Sequence, residues 1–263
     1  TFESTKPPSD WAEYANWHDK LFVSCKMCKD GFKKTGVKVP ISIVPLGVRE
    51  DLWPLVERSN TGPFKFLLFA NAHFDDARKN YSTAYKAFKK AFGNSRNVEL
   101  ILKFSGGDVP QDIMRQPNVR VFSGRYTQEE LRDIVSMGDC LLFPSRGEGY
   151  GLPVREAMAT GMPVVATNFG GLESVMGLGC NYTVPHTLIN ARYPKGLYEG
   201  RNNGSSDFGV WSEPSVNDIA EVISGMPSDR ATVRGRGEYG ANWVRHNETY
   251  EICADRLLKE MGL

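Results

Sequence analysis

Glu148 and Glu156 stand eight positions apart in the run Glu148-Gly149-Tyr150-Gly151-Leu152-Pro153-Val154-Arg155-Glu156, directly after the apolar stretch Cys140-Leu141-Leu142-Phe143. Carboxylates accept hydrogen bonds from paired hydroxyls, which sugars and ribose supply. Gly149 and Gly151 let the backbone approach a ligand closely. Pro153 suits the first turn of a helix, whose unpaired N–H groups and positive dipole end would face the same loop. Such a helix end attracts phosphate, whereas a carboxylate repels it, so the two glutamates need a different part of the ligand. A nucleoside diphosphate with a sugar attached meets both demands. Arg78-Lys79 would supply the cations for the diphosphate, Arg binding two oxygens at once and Lys acting as a point charge. Taken singly, Glu156 reads as an ordinary first-turn helix glutamate and Glu148 as a solvated loop charge.

The elements that must hold these residues alternate along the chain. Phe64-Lys65-Phe66-Leu67-Leu68-Phe69-Ala70 reads as a buried strand. Tyr81, Tyr85, Phe88 and Phe92 share one helical face, and Gly93 stops that helix. Residues 98–104 and 119–122 are the next strands. Thr127-Gln128-Glu129-Glu130 has the form of a capping box, ahead of an apolar face of Leu131, Ile134 and Val135. After the strand 140–143 and the quoted loop, a helix runs to Gly161, and Pro163-Val164-Val165-Ala166-Thr167 is again a strand. This rhythm predicts an α/β fold: a Rossmann-like parallel sheet with helices on both faces. In such sheets ligands bind beyond the carboxyl ends of the strands, where both the glutamate loop and Arg78-Lys79, in the loop before the Tyr81–Phe92 helix, would lie. Residues 180–212 break the rhythm and read as a long loop or edge excursion, with Arg192, Lys195 and Arg201 on its surface. A helix opens at Pro214-Ser215, and a last helix is expected from about Tyr239 to Met261. Residues 20–24 and 41–44 read as strands with a short helix between, in a segment too small for a core of its own.

Composition narrows the functional classes. With 32 Lys plus Arg against 31 Asp plus Glu, a net charge of +1, nothing favours bulk attraction to nucleic acid or an acidic membrane. No apolar run approaches the roughly 20 residues of a membrane span. Cys25 and Cys28 form a CxxC among five scattered cysteines, without the second pair or nearby His of a zinc site. They read as free thiols of a cytoplasmic protein. Without a secretion signal, the Asn-x-Ser/Thr sequons at Asn80, Asn181, Asn203 and Asn247 read as chance.

The stretch EGYGLPVRE resembles the E-x7-E motif of retaining glycosyltransferases of the GT-B fold, especially glycosyltransferase family 4. PSRGEGYGLPVREAMATGMPVVAT is similar to that family's strand–loop–helix–strand unit, and Arg78-Lys79-Asn80 to its Arg-Lys-Gly/Asn element. Val44-Pro45-Leu46-Gly47-Val48 resembles the linker into its C-terminal domain, and Gly209-Val210-Trp211 with the final helix its closing segment. The resemblance implies three parts: 1–48, the last portion of an acceptor-side N-terminal domain with the linker; 49–240, the donor-binding Rossmann-like domain; and 241–263, a helix packing back on the N-terminal segment.

Activity and roles follow as implications of the resemblance. The chain would be the donor-binding portion of an enzyme that transfers a sugar from a nucleotide-diphosphate sugar to a glycan or small-molecule acceptor, with retention. Glu148 would meet the donor sugar and Glu156 the ribose. The amides of Gly149, Tyr150, Gly151 and Leu152 would touch sugar and phosphate, Lys79 with Arg78 would stabilise the leaving diphosphate, and Tyr126 would line the base pocket. A UDP- or GDP-sugar is expected ahead of an ADP-sugar, with no cofactor and no metal, because Arg and Lys can neutralise the charge and no Asp-x-Asp sits at a strand end. One departure stands out: where the family often carries Gly-Arg, this chain reads Ala70-Asn71-Ala72-His73. His73 is not expected to be catalytic. The competing readings are a non-catalytic nucleotide-sugar-binding module and another GT-B enzyme, such as a nucleotide-sugar epimerase. A phosphorylase is disfavoured, because no lysine stands in a recognisable pyridoxal phosphate context.

Overall fold

The computed structural model describes residues 2–70, 76–106, 108–193, 198 and 205–263. The chain begins with α1 (Asp10–Ala15), β1 (Leu21–Val23), α2 (Lys26–Thr35) and β2 (Ile41–Ile43), and β1 and β2 pair in parallel. The main unit then runs β3 (Phe64–Ala70), α3 (Asp76–Lys79), α4 (Tyr81–Phe92), β4 (Val98–Phe104), α5 (Gln111–Met114), β5 (Val119–Ser123), α6 (Gln128–Ser136), β6 (Cys140–Phe143), α7 (Leu152–Ala159), β7 (Val164–Thr167), α8 (Glu173–Met176) and β8 (Tyr182–Val184). It closes with β9 (His186–Asn190), β10 (Val210–Pro214), α9 (Val216–Ser224), α10 (Arg230–Asn247) and α11 (Tyr250–Met261).

Six parallel strands form one sheet in the order β5-β4-β3-β6-β7-β8. Both faces are covered, which is why the strands read as apolar runs rather than alternating ones. Phe66, Leu68, Leu100, Leu102 and Leu142 face one core with Phe88 of α4 and Ile219 and Ile223 of α9. Leu67, Ile101, Leu141 and Val164 face the other with Ile134 of α6, Val154 and Met158 of α7 and Val244 of α10. The chain winds outward from β3 to β5, then returns to β6 and winds the other way. The strand order therefore reverses between β3 and β6, the place where open α/β sheets bind ligands.

Local chemistry set several boundaries as expected. Thr127 and Glu130 form a complete capping box at α6, and Ser215 caps α9 by accepting from the Asp218 amide. Four expectations are corrected. The tract 180–212 contributes β8 to the parallel sheet, and β9 pairs antiparallel with β10. These strands are short and largely polar on the outside, so periodicity did not reveal them. The last helix is two: α10 starts at Arg230, and Thr249 caps α11 by accepting from the Ile252 amide. The N-terminal segment does build its own cluster, with Phe2, Val23, Cys28, Phe32 and Ile41 buried and Phe169 packed against it. Finally, Arg78 and Lys79 end the short helix α3 rather than lying in a loop. No helix among the described residues is long and apolar enough to cross a membrane.

Candidate functional site

The reversal between β3 and β6 brings Arg78, Lys79 and Glu148 together. Among the described residues, three bonds reach the Glu148 carboxylate and all end on Oε1: Lys79 Nζ donates at 2.7 Å, Arg78 Nη1 at 3.0 Å and Ser145 Oγ at 2.8 Å. Glu148 is only 7% exposed, so it is a buried carboxylate against two half-buried cations rather than a solvated loop charge. Burial works to raise its carboxyl, but Lys79 and Arg78 outweigh that and hold it below the ordinary value. Lys79 Nζ also lies 4.8 Å over the Phe143 ring, at the end of β6.

Asn80 and Arg146 aim the two cations. Asn80 adopts φ 60°, the one non-glycine in the left-handed region among the described residues, and its Nδ2 donates to the Pro144 carbonyl at 3.3 Å. This turn lets α3 end and α4 begin at once. Arg146 donates to the carbonyls of Asp76 (3.0 Å) and Ala77 (2.8 Å) and pairs with Glu213 of β10. Its amide donates to the Arg78 carbonyl at 2.7 Å. Sequence reasoning missed Arg146, whose only signal was its place two residues before Glu148.

The glycine loop is shaped by close backbone approach. Gly151 precedes α7 with φ 79°, and a Cβ there would lie 2.3 Å from Leu172 Cδ2. Gly171, which sequence reasoning also passed over, donates its amide to the Glu148 carbonyl at 2.7 Å, and a Cβ on it would lie 2.4 Å from the Tyr150 amide nitrogen. The amides of Gly149, Tyr150, Gly151 and Leu152 donate to no acceptor among the described residues, at the N-terminus of α7. The Tyr150 side chain turns into the interior instead: its hydroxyl donates to Glu248 Oε2 at 2.9 Å, and Arg155 lies 3.8 Å over its ring.

Glu156 sits one turn into α7. Burial pushes its carboxyl up to about 7, against a hydrogen bond from Trp53 that pulls it down. Tyr126 lies beyond the end of β5 on the same rim, its hydroxyl donating to Ser123 O at 3.2 Å. Lys103 of β4, a cation that sequence reasoning missed, lies 5.6 Å over the Tyr126 ring, its amine lowered by burial. The partners of Tyr126 are Ser123 and Lys103 and that of Glu156 is Trp53, all outside the Glu148 cluster. The Asn71-Ala72-His73 departure, Lys195 and Arg201 lie outside the described residues.

A model of the family "Glycosyl transferases group 1" matches residues 65–199, more than half of the chain. Over 132 residues, 48% of the chain, it is 30% identical to the uncharacterized glycosyltransferase MJ1607 of Methanocaldococcus jannaschii. The first curated relatives are matched over 11–33% of their own length, so the chain spans a third of them or less. Two solved structures share the fold. Sucrose-phosphate synthase from Thermosynechococcus elongatus aligns with TM-score 0.70 and 20% identity, over 95% of this chain and 59% of that one. Anabaena Alr3699/HepE, solved in complex with UDP and glucose, aligns with TM-score 0.71 and 14% identity, over 96% and 66%.

Proposed function

The chain belongs to the glycosyl transferases group 1 family, and from that premise we propose that it binds a nucleotide-diphosphate sugar and forms the donor side of a retaining glycosyl transfer of the family 4 type. The carrying observation is the ion cluster of buried Glu148 with half-buried Arg78 and Lys79 at the point where the strand order reverses, beside the open amides at the start of α7. Arg78 and Lys79, already held in place, face the donor diphosphate. The amides of residues 149–152 and the α7 dipole add to that field without reorganising during reaction. Glu148 then takes a hydroxyl of the donor sugar, Glu156 the ribose diol, and Tyr126 flanks the base. The bond from the anomeric carbon to the diphosphate oxygen breaks while the acceptor oxygen bonds on the same face. A donor phosphate oxygen takes the acceptor proton. Neither a covalent nucleophile nor a metal is part of this reading.

The division of labour follows the same proposal. Residues 49–240 form the donor side, and residues 1–48 belong to the acceptor side. The C-terminal helix reaches back to that side: Lys20 pairs with Glu260, which also accepts from Ser42 Oγ at 2.6 Å. The five free cysteines fit a cytoplasmic protein. The UDP-bound neighbour supports a UDP-sugar, with a GDP-sugar next.

Calorimetry of the chain against UDP, GDP and ADP, with and without magnesium, tests the proposal. One nucleotide should bind, indifferent to magnesium, and Glu156→Ala should weaken it roughly tenfold, about 1.4 kcal/mol. Failure of a folded chain to bind any of the three, or binding only with magnesium, overturns it.

A further inference from the structure

Outside the glutamate cluster, a second pair of reactive groups lies against the same loop from the other side. Cys25 caps α2, and its Sγ accepts the Cys28 amide at 3.5 Å. Cys28 Sγ donates toward the carbonyls of Phe2 (3.5 Å) and Gly149 (3.8 Å). Ser24 Oγ donates to that same Gly149 carbonyl at 2.6 Å. Cys28 therefore adjoins the residue that follows Glu148.

We propose that Cys25 and Cys28 are a redox modification site, a dithiol that a low-molecular-weight disulfide oxidises to an intramolecular disulfide. Three features carry this. Positions i and i+3 across one helical turn have Cα atoms about 5 Å apart by helix geometry, inside the Cα separation a disulfide tolerates. The start of the ten-residue α2 stabilises a thiolate through its free amides and dipole. The Cys28 amide points at Cys25 Sγ, and the neighbouring thiols shift each other: Cys28 is drawn down to about 7 chiefly by Cys25, and Cys25 is pushed up chiefly by Cys28.

Exposure orders the steps. Cys25 is 8% exposed and Cys28 fully buried, so Cys25 meets the external disulfide. Cys25 Sγ gives its proton to the Cys28 thiolate as it bonds to one sulfur of that disulfide, and the other sulfur leaves as a thiolate that takes up a proton. Cys28, deprotonated again, then attacks Cys25 Sγ, the mixed disulfide breaks, and the second small thiol departs. Two protein thiols are oxidised and one external disulfide is reduced to two thiols. Cys28 thereby loses the S–H that faces Gly149, so oxidation reaches the glycine loop.

Equilibration of the chain in glutathione buffers, followed by unfolding, alkylation and peptide mass measurement, tests this. Oxidising buffer should abolish alkylation at both Cys25 and Cys28, reversibly, while Cys140, Cys180 and Cys253 stay alkylated. Cys28→Ser should trap glutathione on Cys25. Alkylation of all five cysteines after oxidation, or a disulfide through any other cysteine, overturns the proposal.

The coupling to the loop rests on the nucleotide-binding reading and has its own readout. The oxidised chain should bind the nucleotide found by calorimetry roughly three- to tenfold more weakly, with full recovery on reduction. An unchanged affinity overturns the coupling. If the reduced chain binds no nucleotide, the donor reading fails while the alkylation pattern still decides the dithiol.

Discussion

The two glutamates eight positions apart have opposite electrostatic fates. Glu148 is surrounded by cations and stays ionised, whereas Glu156, with no cation against it, is raised to about 7 by burial. That difference has a direction in pH. The folded chain holds the Glu156 proton more tightly than the unfolded chain, whose carboxyl has the ordinary value of 4.5. Its contribution to stability is thus full below that value and is lost as pH rises through about 7, an effect of roughly 1–3 kcal/mol. Thermal unfolding of the wild type and Glu156→Gln between pH 5 and pH 8 isolates the group. The wild type should lose ground to the variant as pH rises, and parallel curves would sink the assignment. Residue types and spacing made the glutamates and Arg78-Lys79 legible. They could not reveal that Glu148 is buried against both cations, because that depends on β3 and β6 being neighbours in the sheet.

Individual elements show why strands were easier to read than helix ends. Strands buried on both faces announce themselves as apolar runs, so β3, β4, β6 and β7 were legible in the sequence. The break between α10 and α11 was not, because Glu248-Thr249 carries neither glycine nor proline and Thr249 acts only through its cap. Within α10, three glycines look alike in sequence, yet two of them differ sharply in space. A Cβ on exposed Gly235 meets nothing within 4 Å, whereas one on Gly237 would lie 2.0 Å from the Gly161 carbonyl. Gly235→Ala should therefore stabilise the chain by about 0.5–1 kcal/mol through helix propensity alone. Gly237→Ala should destabilise it by about 1–3 kcal/mol, since α10 must shift away from the end of α7. Urea unfolding of the two variants checks the sign of each, and equal shifts would mean that α10 does not pack this closely.

Across the whole molecule, one buried group ties the glycine loop to the linker and the C-terminal helices. Arg155, 1% exposed, donates to Glu248 Oε2 at 2.6 Å, to the Gly171 carbonyl at 3.1 Å and to Ser174 Oγ at 2.7 Å, and also to the Tyr150 carbonyl. Glu248 stands between α10 and α11, and its backbone carbonyl accepts the Val48 amide at 2.8 Å. Val48 also bridges to Thr249. The linker, the C-terminal helices and the loop of residues 149–152 therefore share one charge pair. A buried pair of this kind adds little net stability over an apolar replacement, but removing one partner strands the other charge. Glu248→Ala should cost about 3–5 kcal/mol and weaken nucleotide binding, because Arg155 no longer holds the Tyr150 and Gly171 carbonyls in place. The pair should also be non-additive. Arg155→Met combined with Glu248→Ala should cost less than the two single changes together, by about 1–3 kcal/mol. Urea midpoints at constant slope measure all three variants. Additive costs would show that the loop and the C-terminal helices are stabilised independently, and the nucleotide affinity of Glu248→Ala would then match the wild type.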